Sequence, residues 1–318
     1  MKKVVYTFCF YLLCSPALAQ NLLEEGKKLF NAEQYNEAEK IFEQVLTSDS
    51  ENAEANYFMG RIYLNLSDYD KSKDYLEKAV KLDEGNIDYH LWLANVYRGK
   101  TRSASFLSAA QWAGKWKSEL ERAFEIDAKN IEARKQLINY YLNAPAIGGG
   151  DKEKGKRLAQ ETIEIDEIQG RLLLAYAYKQ TNKIDLSIAE YRKALALNPK
   201  IGSAYNSLGY IFLKQKDYDN AELNFKKYVE VAPDDPNAYD SLGEYYAERG
   251  RTDEAITQYQ KALAIDPKFS PSRFKLAQAY EQKQMKEDAI QHYQALIELT
   301  PADARAKDAE KRLKNLQE

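Results

Sequence analysis

Residues 202–235 read GSAYNSLGYIFLKQKDYDNAELNFKKYVEVAPDD and residues 236–269 read PNAYDSLGEYYAERGRTDEAITQYQKALAIDPKF, two consecutive blocks in which the same residue types return at the same places. Leu208, Gly209, Phe212, Ala221, Phe225 and Pro233 of the first stand where the second has Leu242, Gly243, Tyr246, Ala255, Tyr259 and Pro267. Leu and Gly in mid-helix, followed one turn later by an aromatic residue, leave a notch that the Ala and aromatic of a second helix can fill. Pro closes each block because it cannot continue a helix. A single helical hairpin cannot bury its own apolar face, so such blocks must stack on one another.

This spacing resembles the tetratricopeptide repeat family, whose units are helix-turn-helix pairs of about 34 residues. The resemblance implies an all-α fold, a right-handed superhelical solenoid of about eight repeats at 20–301, and a role in holding protein or peptide partners. Working outward, the register places repeats near 168–201 (Ala175, Tyr178, Tyr191, Ala194, Pro199) and 270–303 (Leu276, Ala277, Tyr280, Ala289, Tyr293, Pro301). It continues back through 131–167 and 87–130 to 53–86 and 20–52. In 53–86, Ser72 and Leu76 replace the usual Ala and aromatic. Residues 302–318 are charge-rich, with Leu313 and Leu316 three apart, and read as a polar capping helix.

Composition agrees. With 44% hydrophobic residues, 8 prolines and 14 glycines in 318 residues, the chain has material for a packed, helical interior. The formal net charge is −3, and loss of Lys2 and Lys3 with an N-terminal leader would take it to −5, which disfavours general nucleic-acid binding. Residues 1–19 read as that leader: Lys2 and Lys3 form the charged start, Val4 to Cys14 the apolar core, and Ala17-Leu18-Ala19 the cleavage site. The core is too short for a membrane span, which needs ~20 residues. Leu12 and Leu13 before Cys14 do not suit a lipid-modified cysteine. Cleavage after Ala19 is expected, giving an exported, periplasmic protein, and it would remove both cysteines, Cys9 and Cys14.

Two repeats carry insertions. In 87–130 the second-helix Ala is expected at Ala123, ten residues late, and in 131–167 a run from Asn143 to Gly150 adds five if Thr162 takes the Ala place. Both fall between the first helix's aromatic and the second helix, so both are expected at one edge of adjacent repeats and in contact there, as a raised rim. The 98–118 insert holds Arg98, Lys100, Arg102, Lys115 and Lys117 without an acidic residue, and Trp92, Trp112 and Trp116 lie in or beside it. Cations with tryptophan are a composition of interaction hot spots. Trp116 falls where the repeat packs a small residue, which predicts core packing for it. Gly148 to Gly150 could offer N–H groups to an anion, but they lack the Gly-Lys-Ser/Thr ending of a phosphate loop and read as a turn.

The other candidate surface is the inner groove. In the family it is lined by the fifth and ninth places of the first helices, and the resemblance assigns Tyr57, Arg61, Lys135, Asn139, Tyr176, Asn206, Tyr210, Asp240 and Glu244 to it. Lys135 and Asn139 match the start of the clamp by which some relatives hold a C-terminal carboxylate. Ser203 and Ser207 stand where its later basic residues belong, so the clamp is not expected here. Asp240, Glu244 and Glu248 recur every four residues, which suggests an acidic stretch for a basic partner segment. His90 and His292, the only histidines, are far apart in the repeat array and give no zinc site or triad. No cofactor or catalytic centre is expected. The expected function is an exported scaffold for protein interaction in envelope assembly or trafficking. The alternative is an anion- or glycan-binding module centred on 98–118.

Overall fold

The computed structural model describes residues 16–300 and 303–317. Residues 1–15 of the expected leader lie outside the described residues, and Ala17 to Ala19 fall in the first helix. Among the described residues there are seventeen α-helices and no strand, and the chain divides into two compact units, Met1–Asp166 and Glu167–Glu318.

The first unit pairs α1 (Pro16–Asn31) with α2 (Tyr35–Ser48), α3 (Ala53–Asn65) with α4 (Tyr69–Leu82), α5 (Ile87–Ser103) with α6 (Phe106–Ile126), and α7 (Ile131–Asn143) with α8 (Lys152–Thr162). The second pairs α9 (Glu167–Gln180) with α10 (Ile184–Leu197), α11 (Gly202–Lys214) with α12 (Tyr218–Val231), α13 (Pro236–Glu248) with α14 (Thr252–Ile265), and α15 (Ser270–Gln282) with α16 (Lys286–Leu299). Helix α17 (Ala304–Gln317) closes the second unit on α16, burying Ala306 and Ala309 and resting Leu313 and Leu316 against the core.

The notch inferred from sequence is the packing lock. A Cβ placed on Gly26, Gly60, Gly209 or Gly243 would lie 2.6, 2.5, 2.7 and 2.6 Å from Phe42, Leu76, Phe225 and Tyr259, respectively. Ser72 takes the Ala place by donating its hydroxyl to the Gly60 carbonyl at 2.7 Å, and Ser187 does the same to Ala175 at 2.8 Å, so neither buried oxygen is unpaired. In the fourth repeat the sizes are exchanged: Ile138 stands at the Gly place and Ala159 at the aromatic place, both fully buried.

The tight turns share one device. Glu33, Ser67, Asn182, Lys216, Gly250 and Gln284 all have φ between 58° and 71°. Each sits one residue before a backbone N–H that reaches back across the helix end, as Asp68 N does to Tyr63 O. The third repeat has no such turn, and in the fourth the device recurs only inside the longer loop, where Gly149 has φ +85° and Gly150 N reaches back to Pro145 O. In the third, α5 has 17 residues against 13 in α3, and α6 has 21 against 14 in α4. One extra turn, two extra turns and a connection shorter by one residue account for the ten added residues. The insertion is thus a longer hairpin, with both helices lengthened by whole turns so that their buried faces stay in register.

Candidate functional site

The two insertions meet within the first unit. The Tyr140 hydroxyl bonds both the Ala113 carbonyl of α6, at 3.0 Å, and the Gly148 carbonyl of the 144–151 loop. A Cβ on Gly149 would lie 3.1 Å from Lys117. Gly149 has φ +85°, and a Cβ on Gly150 would overlap the Ala144 carbonyl, so the loop requires glycine at both. The N–H groups of Gly148, Gly149 and Gly150 bond the carbonyls of Pro145, Ala146 and Pro145. They are spent on the turn, which supports the turn reading over an anion site. Ile147 stands at the loop tip, 82% exposed.

The basic residues of the insert have unequal surroundings. Lys100 pairs with Asp70 of α4 at 2.5 Å, Lys115 with Glu77 at 3.7 Å and Lys117 with Glu121 at 3.6 Å. The Lys100 link recurs between Lys283 and Asp253, also thirty residues apart, so it ties neighbouring hairpins together. Arg98 and Arg102, four apart on α5, are exposed and make no ion pair among the described residues. The sequence shows a block of five cations; the structure leaves two of them unanswered, because the partner carboxylates come mainly from α4.

The tryptophans are engaged internally. Trp112 stacks on Tyr97 with ring centres 5.7 Å apart, and the ammonium groups of Lys100 and Lys115 lie 4.7 and 5.3 Å from its ring. Tyr97 donates to Glu77 at 2.7 Å; burial first, and that carboxylate second, push its phenol well above the usual tyrosine range. Trp116 meets the fully buried Tyr140 edge-on at 4.7 Å, the packing role its repeat position suggested. Trp92 receives the Arg61 guanidinium at 4.3 Å, which also lies 4.5 Å from the Phe30 ring and bonds the Tyr57 hydroxyl at 3.1 Å. Tyr57 is buried. Lys135 is exposed and Asn139 half-buried.

In the second unit the expected acidic stretch is corrected. Lys275 of α15 lies 2.8 Å from Asp240 and 2.6 Å from Glu244, and Asp240 also accepts from Ser272 at 2.8 Å. Tyr210 donates to Glu244 at 3.1 Å. The carboxylates are therefore knitted into a repeat-to-repeat network, leaving Glu248 exposed beyond it. Tyr176 is half-buried, with the Lys179 ammonium 5.4 Å from its ring. Asn206 holds a side-chain oxygen that is sealed from water and has no hydrogen-bond partner.

A buried ion pair escaped the sequence reading. His90 of α5 is 4% exposed, with Nδ1 2.6 Å from Glu119 and Nε2 3.1 Å from the Glu84 carbonyl. Burial pulls its pKa down, but the bonds to Glu119 and Glu84 outweigh burial and the net shift is upward. Twenty-nine residues separate the partners, and no local motif links them. Among the described residues no cluster of His, Cys, Asp and Glu could hold a metal ion, and no helix is long and apolar enough to cross a membrane.

Sequence profiles described as tetratricopeptide repeat match residues 29–95, 172–236 and 270–303, and one described as TPR repeat matches 243–284. Superkiller complex protein 3 of Mus musculus is 25% identical over 232 residues, covering 63% of this chain and 15% of that protein. The BBSome complex member BBS4 of Bos taurus is 22% identical over 218 residues, covering 67% of this chain and 38% of that protein. The chain thus corresponds to well under half the length of either. Among solved structures, a thermophilic TPR protein of Thermus thermophilus aligns with TM-score 0.49 and 21% identity, over 61% of this chain and 99% of that one.

Proposed function

The chain belongs to the tetratricopeptide repeat family, whose repeats generally bind protein partners, and we propose that it is an exported scaffold for protein interaction in envelope assembly or trafficking. Both curated relatives are by name members of complexes, which suits a scaffold. The observation that carries the reading is the lengthened α5–α6 hairpin joined to the 144–151 loop. It carries the exposed Arg98 and Arg102 without acidic partners on α5, and the 82% exposed Ile147 on the loop that meets α6, in a chain of net charge −3. Such a rim offers charge and apolar area at one edge, the mixture that partner surfaces use. The glycan-binding alternative has less support, since Tyr97, Lys100 and Lys115 already occupy the surroundings of the Trp112 ring that a sugar would need. Nothing in the repeat packing calls for a catalytic role.

The test is affinity capture from envelope extracts by wild type and by the triple variant Arg98→Ala, Arg102→Ala, Lys115→Ala. Capture should weaken and lose salt dependence, while melting stays within about 0.5 kcal/mol of wild type, as for exposed substitutions. Undiminished capture by the triple variant would remove the rim from the proposal. Export has its own check: the intact mass of the protein from cells should correspond to a chain starting at Gln20, and a retained leader would refute it.

A further inference from the structure

The second unit contains a cleft of about 470 Å³ lined by Lys179, Gln180, Asn182 and Ile184 of the α9–α10 hairpin, by Tyr210, Ile211 and Lys214 of α11, and by Gln215 just after it. Two cations line it and no carboxylate does. In the same unit Lys275 answers Asp240, and Arg171 lies 2.9 Å from Glu190. Lys179 and Lys214 make no ion pair among the described residues. We propose that this cleft binds an acidic segment of a protein partner, with Lys179 and Lys214 holding an Asp or Glu carboxylate of that segment.

Two features support the assignment. First, Lys179 is held below the usual lysine range by burial and then by the charge of the exposed Lys214, so an incoming carboxylate would relieve the cost of its charge. Helix C-termini do favour lysine, and α9 and α11 end here, but that effect does not explain a partly buried Lys179 beside a second, exposed ammonium. Second, the rest of the lining suits a peptide better than a bare anion. The side-chain amides of Gln180, Asn182 and Gln215 carry both donors and acceptors, as a peptide backbone does, and Ile184, Ile211 and the Tyr210 ring offer apolar contact to side-chain methylenes.

The inference rests on the scaffold reading but concerns a different surface from the rim, so the two can fail separately. The test uses the full chain and fluorescence anisotropy with a labelled hexaglutamate peptide, a labelled hexalysine peptide, and inorganic phosphate as competitor. Hexaglutamate should bind and hexalysine should not. The variant Lys179→Gln, Lys214→Gln should lose on the order of tenfold in hexaglutamate affinity, with a flatter salt dependence. The same variant should melt no lower than wild type, because it removes a partly buried charge that lacks an acidic partner. The rim triple variant should bind hexaglutamate as wild type does. Equal binding by wild type and the Lys179/Lys214 variant would overturn the assignment. So would phosphate displacing the peptide at equal concentration, which would mark a small-anion site instead. If partner capture survives the Lys179/Lys214 change but is lost in the rim variant, the scaffold reading stands and this inference falls.

Discussion

Lys275→Met tests the correction to the acidic stretch. It removes the ammonium that lies 2.8 Å from Asp240 and 2.6 Å from Glu244, leaving Asp240 with the Ser272 hydroxyl alone among its side-chain contacts. Removing one partner of a fully buried pair costs ~3–5 kcal/mol. Here the Asp240 side chain is 5% exposed but Lys275 is 27% and Glu244 41%, so water screens part of the loss and we expect about 2–3 kcal/mol. For a unit of about 150 residues that lowers the melting midpoint by roughly 5–10 °C. Circular dichroism gives the midpoint, and hydrogen exchange on peptides from α13 and α15 should show the loss centred there. Burial pulls the Lys275 pKa down, but its two carboxylates outweigh burial and raise it above the ordinary 10.5. Its stabilisation is therefore fully present below pH 10.5 and fades as pH rises through the raised folded value. The gap between wild type and variant should close only in that alkaline range. Adding Asp240→Asn to Lys275→Met removes the stranded charge, so the double variant should cost at least about 1 kcal/mol less than the sum of the singles. A Lys275→Met cost below about 0.5 kcal/mol, or additivity within about 0.3 kcal/mol, would refute the network.

Two further outcomes follow from the packing. Because His90 has a raised folded pKa, its bond with Glu119 stabilises the first unit fully below the unfolded value of 6.5 and loses that contribution as pH rises through the folded value. Protection factors in α5 and α6, with the pH dependence of intrinsic exchange divided out, should fall across that range in wild type and not in His90→Gln, and identical protection profiles would contradict the pairing. Gly243→Leu must push Tyr259 aside, since even a Cβ comes within 2.6 Å of its ring, and should cost ~1–3 kcal/mol with exchange loss centred on α13 and α14; a stabilised protein would refute the lock.

The fold was legible because its decisive contacts are local and repeat. Gly209 and Phe225 lie sixteen residues apart in one hairpin, and Gly243 with Tyr259 repeats the pair. The meeting of the two insertions was legible for the same reason, since their places in adjacent repeats put them at one edge. Charge partners were not legible. Lys275 answers Asp240 from thirty-five residues away and Lys100 answers Asp70 from thirty, so each side chain reads as free until the stack is built. The insert's form was hidden too. Its residues Thr101 to Trp116 include no proline and only Gly114, and whole turns added to two helices leave no turn signal beyond Ala104 and Ser105.

Seen through its charges, the chain separates structure from prospective binding. Where hairpins touch, cations find acids: Lys27 with Glu54, Lys100 with Asp70, Lys275 with Asp240, Lys283 with Asp253. Exposed pairs of this kind contribute little individually, but they leave few charges unaccounted for at the contacts between repeats. Arg98 and Arg102 at the long hairpin, and Lys179 and Lys214 in the cleft, fall outside this scheme. Neither pair gains stability from an acidic neighbour, and for Lys179 burial makes its charge a net cost. No ion pair at the hairpin contacts holds these four side chains in place. Substituting them should therefore be neutral or favourable for stability and unfavourable for binding, the signature of residues kept for a partner.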